Sequence, residues 1–564
     1  MKSSIRQQIV LGILGFYLLI IMHVYIPNMG GSGLALPGNM LAWLVMALLV
    51  LTVCLWGQLG IKPKKWIITS SSRLFLLGIL LLCLPWFYSA SLWRGNASLR
   101  VMGMLGGAVF YLVLLQGCLR EAAIKTVLWL ILGAAIVESG LALLQMYVLQ
   151  PGNWFEFSAG KAQPYGIFQQ TNVMATFLAT GLGTALYLLL QSECKILIRR
   201  YLLALIVTLI TALIVVMKSR TGWIGASLMA LLMLGLLRKQ RQATILAIMA
   251  MLCGILAGFS MLGNPTIESL DHPGSNYYRW IMVTQTLAMI VQKPLLGWGY
   301  GSFDYYFHHF LIQRRPPILI GEHADHPHNE ILYGWMEGGI IALAGMLLLA
   351  CGYLSLLIRA WHHDRHKNGE YSAFGVGLIT LPIALHTQTE YPFYLAVPLW
   401  LVFLLLIASL DSLCGKRLLT RDLIGNRWLQ ILMVTSSTGV ILFMTTGIYA
   451  AGVLTHVERQ QLKALPTKAS LINPWAQAQR YEYDRHLYDL LSYNQSRDKK
   501  LLIQYMEWAR KYLMVNIDAN VYANVIMIGK ILNAPFLVED FSRDAKLLFP
   551  DNTKIAALTK SIEK

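Results

Sequence analysis

Imidazoles and carboxylates are concentrated in one short segment of this sequence, residues 323–330. The segment reads His-Ala-Asp-His-Pro-His-Asn-Glu and leads directly into a long apolar stretch. A histidine whose pKa is about 6.5 exchanges a proton near neutral pH, and a neighbouring carboxylate can orient its ring. We therefore predict acid–base chemistry here. The catalytic candidates are Asp325, His326, His328 and Glu330, and Asn329 is a candidate assisting residue.

Two other interpretations of this segment remain open. Imidazole and carboxylate groups are common metal ligands, so the segment would suit a metal ion, with His323, His326, His328 and Asp325 as its ligands. Alternatively, Asn329 or Glu330 merely begins the helix that follows, although this explains three clustered histidines poorly. We favour proton transfer without a metal ion, because fixed cations elsewhere in the chain can replace it.

Three arginines, Arg94, Arg220 and Arg279, are candidates for binding an anionic group such as a phosphate. A guanidinium group suits phosphate because its forked N–H donors bind two oxygens and its charge is permanent. Arg220 lies in the tight polar turn of residues 218–222, and Arg279 opens a predicted helix, residues 279–291. Such cations can stabilise departing negative charge without a divalent metal. For each arginine, the alternative is an anchor at a membrane surface.

Two further polar segments, residues 164–172 and 386–394, border apolar stretches. Ionisable groups at membrane depth are expensive and usually face a cavity. For the second segment, a structural pairing of His386 with Glu390 is the alternative. The polar residues that the two segments add at the same face include Gln169, Gln170, Asn172, Tyr391 and Tyr394.

The composition predicts that the surrounding chain lies in a lipid bilayer. Of its 564 residues, 56% are hydrophobic and only 13% are charged, an apolar content above that of ordinary soluble domains. Apolar runs of roughly 17–25 residues can each cross a hydrocarbon core. We predict an all-α polytopic membrane protein with about 13 transmembrane helices. The predicted spans are residues 9–27, 39–56, 74–90, 101–118, 126–148, 172–190, 201–217, 221–237, 243–262, 331–358, 373–388, 392–411 and 428–453.

Lysine and arginine residues cluster in alternate loops between these spans. Because positive loops stay in the cytoplasm, this pattern predicts a cytoplasmic N-terminus, and the odd number of spans predicts an exported C-terminal tail. The net charge of +18 is then largely a topology signal, and no nucleic-acid partner is predicted. All seven cysteines fall in predicted spans or cytoplasmic loops, so we predict neither a disulfide framework nor a thiol metal site.

Two exported segments are large. A loop of about 68 residues, 263–330, holds the histidine-rich segment, and a long loop within a helical bundle is usually functional. We predict a transmembrane domain, residues 1–454, that includes this loop, and an α-helical domain, residues 455–564. A tetratricopeptide-like stack is an alternative for the second domain, although no regular repeat appears. The helices predicted in the tail are Leu487–Tyr493, Leu501–Val515, Val521–Leu532 and Phe536–Leu548.

Several motifs occur in a fixed order between about residues 160 and 400. In this order they resemble the bacterial O-antigen ligases and protein O-oligosaccharyltransferases that share the Wzy-C ligase domain. The His386-Thr-Gln-Thr-Glu-Tyr-Pro-Phe-Tyr394 segment and the long tail resemble the protein O-oligosaccharyltransferase (PglL-type) branch. The other motifs are Ser219-Arg-Thr-Gly-Trp223, Arg279-Trp280, Pro294-Leu-Leu-Gly-Trp-Gly-Tyr-Gly-Ser-Phe303, His326-Pro-His-Asn-Glu330 and Trp335-Met-Glu-Gly-Gly339.

The resemblance implies a GT-C-like ligase architecture in the bacterial inner membrane, with a periplasmic C-terminal domain and no cofactor. It implies transfer of an oligosaccharide from undecaprenyl pyrophosphate to Ser or Thr of a periplasmic protein such as a type IV pilin. His328 would be the essential histidine, and Arg220 and Arg279, with Arg94 in support, would bind the donor pyrophosphate. One glutamine of 169 and 170 and one tyrosine of 391 and 394 would assist.

Other functions remain as alternatives. The nearest is an O-antigen ligase that transfers glycan to lipid A-core, followed by an O-antigen polymerase. A non-enzymatic transporter of lipid or sugar belongs to a different class, and such proteins usually show internal repeats, which this sequence lacks.

Overall fold

The computed structural model describes residues 5–56, 67–116, 119, 121–158, 163–191, 196–237, 241–262, 275–314, 324–366, 372–419 and 427–560. Two short strands, β1 (Ile67–Thr69) and β2 (Arg417–Leu419), pair antiparallel. The α-helices are α1 (Ile5–Leu19), α2 (Pro37–Trp56), α3 (Ser70–Tyr88), α4 (Ser91–Leu115), α5 (Glu121–Tyr147), α6 (Thr171–Leu190), α7 (Leu197–Val216), α8 (Arg220–Leu236), α9 (Arg241–Leu262), α10 (Ser275–Gln292), α11 (Phe303–Arg314), α12 (Glu330–His366), α13 (Ala373–Ile379), α14 (Leu381–His386), α15 (Pro392–Leu395), α16 (Val397–Cys414), α17 (Arg427–Arg459), α18 (Ala478–Ser496), α19 (Lys499–Leu513), α20 (Ala519–Ile531), α21 (Pro535–Leu548) and α22 (Thr553–Lys560).

The long apolar helices stand where the sequence predicts membrane spans. Within the described ranges, ten helices are long and apolar enough to cross a bilayer. Three shorter apolar stretches, Gln7–His23, Arg220–Leu236 and Ala373–His386, occupy the other predicted positions. The prediction of an all-α polytopic membrane protein is therefore confirmed. The four helices predicted in the tail are present as α18 to α21, and α22 follows them.

The chain forms two compact units. The first unit comprises residues 1–77, 105–271 and 348–452, and the second comprises residues 78–104, 272–347 and 453–564. In the first unit, α6 is buried along its length among α5, α7 and α8. Small residues permit this close packing, since a Cβ atom on Gly181 of α6 would lie 2.4 Å from the Cβ atom of Ala135 on α5.

In the second unit, helix α12 is broken at Gly339, whose φ of 64° and ψ of −158° are not helical. A break at membrane depth leaves carbonyl groups without intrahelical partners, and protein groups must replace them. The loop between α10 and α11 supplies the donors. The backbone N–H of Trp298 donates to the carbonyl of Met336 at 2.9 Å, and that of Gly299 donates to the carbonyl of Glu337 at 2.8 Å.

Glycines allow this loop to lie directly against the break. Gly297, Gly299 and Gly301 have φ values of 72°, 106° and 82°, a region that side chains disfavour. A Cβ atom on Gly297 would lie 2.5 Å from the carbonyl oxygen of Glu337. The Pro-Leu-Leu-Gly-Trp-Gly-Tyr-Gly motif is thus the docking loop for the broken helix.

Gly339→Ala is expected to destabilise the second unit by about 3 kcal/mol or more, because the position combines a disfavoured backbone conformation with a clash. The added Cβ atom would lie 2.1 Å from the carbonyl oxygen of Leu295. The apparent melting temperature of the purified protein measures the effect. Gly439→Ala in α17 is the matched control, since nothing lies within 4 Å of its added Cβ atom. Equal losses in the two variants would contradict this account of the break.

A buried carboxyl group lies where the tail begins. Arg480 of α18 binds the carboxylate of Glu458, at the end of α17, through Nε at 2.6 Å and Nη2 at 2.5 Å. Asp484 lies one turn further along α18 and is 5% exposed. Its burial, and then the neighbouring negative charge of Glu458, raise the pKa of Asp484 to about 7, against the opposing effect of Arg480.

This raised pKa predicts a pH-dependent stability. The folded protein keeps the Asp484 proton to about pH 7, whereas the unfolded chain releases it near pH 4. The contribution of protonated Asp484 to the free energy of unfolding is therefore complete below about pH 4 and is lost as the pH rises to about 7. Asp484→Asn, which cannot ionise, is expected to melt at a higher temperature than wild type at pH 8, with a smaller difference at pH 5. Asp540→Asn, at a side chain that is 67% exposed, is the control and should show no such trend.

Candidate active site

The histidine-rich segment adopts a constrained conformation before α12. His328 has a positive φ of 55°, which is uncommon for a residue with a side chain. Its backbone N–H donates to Nδ1 of His326 at 2.9 Å. Because Nδ1 accepts, the neutral His326 ring carries its proton on Nε2, which lies 3.6 Å from Oε1 of Glu330. His326 is buried, whereas His328 is half-buried.

Flanking contacts hold both ends of this segment. The carboxamide oxygen of Asn329 accepts the backbone N–H of Leu332 at 3.0 Å and so caps the start of α12. On the other side, Nε2 of the buried His308 accepts the N–H of Ala324 at 3.3 Å. Asp325, between these two anchors, is exposed. The segment is therefore fixed at its ends while Asp325 and His328 remain accessible.

A buried ion pair lies beside the histidine segment in the second unit. Nη2 of Arg100 donates to Oε2 of Glu337 at 2.5 Å, and Glu337 is fully buried. The guanidinium group lies between two aromatic rings, 4.4 Å from the Tyr300 centroid and 4.6 Å from the Tyr333 centroid. The Tyr333 ring also lies 4.5 Å from the ring of His326. The predicted site residues did not include this pair, because nothing in the sequence indicates that these two side chains meet.

Two of the predicted arginines also lie in the second unit. Nε and Nη2 of Arg94 donate to the carbonyls of Ser89 and Phe87, each at 2.7 Å, so this side chain caps the end of α3. Arg279 is half-buried in α10. The helix predicted at residues 279–291 is present and begins four residues earlier, at Ser275.

In the first unit, a chain of hydrogen bonds starts beside Arg220. Arg220 is exposed and opens α8, where Ser219 caps the helix by accepting the N–H of Gly222 at 3.1 Å. Oγ of Ser219 donates to Oδ1 of Asn172 at 2.7 Å. Nδ2 of Asn172 then donates to Oε1 of Glu390 at 2.5 Å. These contacts join the starts of α6 and α8 to the polar segment of residues 386–394.

The chain continues into the interior of the first unit. Nε2 of His386 lies 3.1 Å from Oε2 of Glu390, and Nδ1 lies 2.9 Å from Oγ1 of Thr176. All three side chains are buried. The pairing of His386 with Glu390, left open by the sequence, is present. The two residues are four apart in the chain, and the backbone N–H of Glu390 donates to the carbonyl of His386 at 2.9 Å, so their side chains lie on the same side.

The remaining predicted residues lie at loop ends in the same unit. Gln170 caps α6, since its carboxamide oxygen accepts the N–H of Asn172 at 3.0 Å. The rings of Tyr391 and Tyr394 lie 6.2 Å apart. Gln169 lines a pocket together with Tyr25 and mainly apolar residues.

The structure thus groups the predicted residues by unit. Gln169, Gln170, Asn172, Arg220, Tyr391 and Tyr394 belong to the first unit. Arg94, Arg279, Asp325, His326, His328, Asn329 and Glu330 belong to the second. Among the described residues no group of three or more His, Cys, Asp or Glu side chains could hold a metal ion, and His323 lies outside those ranges.

The fold defines a polytopic membrane protein. Each of its two units carries a group of the predicted polar residues, most of them at the start or end of a helix. Comparison with known proteins gives three matches of family models. Residues 164–189 match a protein glycosylation ligase family, residues 203–347 an O-antigen ligase family, and residues 375–561 the C-terminal part of a virulence factor membrane-bound polymerase family.

A curated relative agrees with these matches. An O-antigen ligase of Salmonella typhimurium is 28% identical over 138 residues, which are 23% of this chain and 34% of that protein. The chain therefore matches about a third of the length of this relative. Together, the comparisons show that separate segments of the chain are similar to O-antigen ligases and to protein glycosylation ligases.

Asn172→Asp is expected to lower stability by about 3 kcal/mol, because it replaces the N–H donor to the buried Glu390 with a second carboxylate. Adding Glu390→Gln should restore most of the loss. In the double variant the new amide donates to the new carboxylate, and the contacts to Ser219 and His386 can persist. Apparent melting temperatures of the two single variants and the double variant form the test. If the decreases in melting temperature of the two single variants simply add in the double variant, the hydrogen bond between residues 172 and 390 does not contribute to stability.

Proposed function

We propose that this protein is an O-linked oligosaccharyltransferase, which moves a glycan from undecaprenyl pyrophosphate to Ser or Thr of a periplasmic protein such as a type IV pilin. The observation that carries the proposal is the hydrogen-bond chain of Ser219, Asn172 and Glu390. It ties the segment that resembles a protein glycosylation ligase, residues 164–189, to the polar turn that carries Arg220.

In the proposed reaction, the acceptor hydroxyl attacks the anomeric carbon of the first sugar with inversion. The bond from that carbon to the phosphate oxygen breaks, undecaprenyl pyrophosphate leaves, and the hydroxyl proton passes to His328. Asp325 or Glu330 orients this imidazole, His326 accepts the backbone N–H of His328, and Asn329 holds the start of α12 behind it. The positive φ of His328 is consistent with a functional role, because strained backbone often occurs at active sites.

Positive charge is proposed to stabilise the leaving group. Arg220 and Arg279 bind the diphosphate, with Arg94 in a supporting role, and no metal ion takes part. Two N–H groups of Arg94 already cap α3, so its contribution is a fixed charge more than a flexible clamp. Gln169 or Gln170 and Tyr391 or Tyr394, with Asn172, contact the sugar or the acceptor.

The proposed function also implies where the protein is located. The chain lies in a bacterial inner membrane with a cytoplasmic N-terminus, and residues 455–564 form a periplasmic helical domain. The alternation of positively charged loops supports this orientation. The division of the chain at residue 454 and the tetratricopeptide-like alternative remain predictions.

A second candidate function is an O-antigen ligase that transfers glycan to lipid A-core. The match of residues 203–347 to the O-antigen ligase family and the Salmonella typhimurium relative favour it. The two candidates share the donor and differ only in the acceptor. A transporter of lipid or sugar, the third alternative, would form no covalent product.

The test supplies the purified full-length protein with an undecaprenyl-pyrophosphate glycan, a pilin and a lipid A-core together. We expect glycan on the pilin, detected by intact mass, with a yield that a chelator leaves unchanged. His328→Ala should reduce transfer by about 100-fold or more, as expected for loss of a general base. His309→Ala is the control, because this ring contacts the backbone carbonyl of Tyr305 in α11 at 2.8 Å.

Each other result has a definite meaning. Glycan on lipid A-core alone would establish the second candidate, and no covalent product from an active donor would favour a transporter. Full transfer by His328→Ala would overturn the role of that histidine, and loss of activity with chelator would reinstate a metal site.

A further inference from the structure

A buried carboxylate in the first unit has no part in the proposed reaction. Glu138 lies within α5, one of the apolar helices long enough to cross a membrane, and its side chain is fully buried. Its Oε1 atom lies 2.7 Å from Nδ1 of His23, whose side chain is 7% exposed. An ionisable pair at membrane depth is expensive to maintain, and such pairs usually serve function.

We propose that Glu138 and His23 form a positioning pair that holds the loop of residues 165–170 in its working conformation. This inference rests on the proposed function, because it assigns the pair a role through Gln169 and Gln170. The pair itself contacts neither sugar nor acceptor. It acts on the backbone of the loop that carries these two side chains.

The proton arrangement of the pair follows from its partners. Nε2 of His23 lies 2.8 Å from the carbonyl oxygen of Leu18, and this oxygen can only accept, so Nε2 donates. One proton then occupies the hydrogen bond between Nδ1 and the Glu138 carboxyl group. Whether it resides on the ring or on the carboxyl, the pair has no net charge, which lowers its cost in a low-dielectric interior.

The second oxygen of Glu138 reaches the loop. Oε2 accepts the backbone N–H of Ile167 at 3.1 Å. Gly166 has a φ of 55°, and a Cβ atom there would lie 2.0 Å from this same oxygen. The loop backbone therefore lies against the carboxylate, in a conformation that glycine permits.

Gln145 extends this support two helical turns further along α5, on the same face. Its Oε1 atom accepts the N–H groups of Tyr165 and Gly166, each at 2.9 Å, and its Nε2 atom donates to the carbonyl of Gly166 at 3.1 Å. Two side chains of α5 thus satisfy the backbone of residues 165–167. After Phe168 come Gln169, in a left-handed conformation with φ of 56°, and Gln170, the cap of α6.

The pair also joins two walls of the pocket that Gln169 lines. Ile167, which binds Glu138, belongs to one wall. Met22 and Val24, on either side of His23 in the chain, belong to the other. A change at the pair would therefore move the loop and reshape the pocket together, which is the expected behaviour of a positioning device.

The test compares Glu138→Ala with Glu138→Gln in the full-length protein. Glutamine can keep all three hydrogen bonds: its oxygen accepts from Ile167, its amide donates to Nδ1 of a neutral His23, and Nε2 still donates to Leu18. We expect Glu138→Gln to retain kcat within about three-fold and Glu138→Ala to lose about ten-fold or more, consistent with misplacement of an assisting group. Ser139→Ala is the control, since Ser139 is equally buried on α5 and its hydroxyl donates to the carbonyl of Ala135, within the same helix, at 2.7 Å.

A double-mutant cycle separates positioning from simple stabilisation. In a Gln169→Ala, Gln170→Ala background, Glu138→Ala should cost less than about two-fold more, because the side chains it positions are gone. Additive losses, or losses that follow the melting temperature across all variants, would overturn the proposal. Inactivity of a folded Glu138→Gln protein would overturn it also, since charge and not hydrogen bonding would then matter.

Two further points keep the outcomes distinct. If wild-type protein transfers no glycan to any acceptor, the proposed function fails, whereas active wild type with equally active Glu138→Ala refutes only the positioning pair. If Glu138→Ala does not fold, Gly166→Ala displaces the loop from the same oxygen without removing the buried carboxylate. It should show the same loss of kcat and the same insensitivity in the double-glutamine background, and normal kcat would refute the proposal.

Discussion

The absence of water within a bilayer is the constraint on which this structure depends, because every polar group placed there needs a partner from the protein. Backbone breaks and buried side chains are tolerated only in combination. At Gly339 the carbonyls exposed by the broken helix accept N–H groups from the glycine-rich loop. The loop and the break are consequently one structural feature, although some forty residues of sequence separate them.

Three buried carboxylates illustrate the same constraint. Each pairs with one basic side chain: Glu138 with His23, Glu337 with Arg100, and Glu390 with His386. Each also accepts from a group that sets the course of a loop or a helix start. Glu138 accepts the N–H of Ile167, Glu337 accepts those of Gly301 and Phe303, and Glu390 accepts the side-chain amide of Asn172. Removing one partner would leave a buried charge without compensation, which costs several kcal/mol. These carboxylates therefore hold loops and helix starts near the candidate site residues without being candidates themselves.

This arrangement suits the glycan transfer that we propose. A lipid-linked diphosphate donor brings its own leaving group, so a protein needs fixed positive charge and one proton acceptor more than it needs a cofactor. The partners that buried polar groups need inside the membrane also fix the positions of loops and helix starts. The exposed Arg220 at the start of α8 and the half-buried His328 before α12 both follow residues that hydrogen bonds hold firmly.

The sequence predicted the membrane spans, and the candidate chemistry, for simple reasons. A run of apolar residues long enough to cross a hydrocarbon core is a local property, so α2, α5, α6 and α16 could be placed without any knowledge of their neighbours. Likewise, three histidines within six residues stand out from composition alone. The pairing of His386 with Glu390 was also accessible, because the two residues are four apart in the chain.

Only the tertiary structure could reveal the pairs His23 with Glu138 and Arg100 with Glu337, whose members are 115 and 237 residues apart. Such contacts depend on which helices pack together and at what depth, and no local pattern of residue types encodes this. Hydropathy is a sum over neighbours in the chain, whereas satisfaction of a buried polar group is a condition on neighbours in space. For that reason the sequence alone determined which segments are apolar enough to cross a membrane and which are candidates for chemistry, and the fold decided which side chains hold those segments in place.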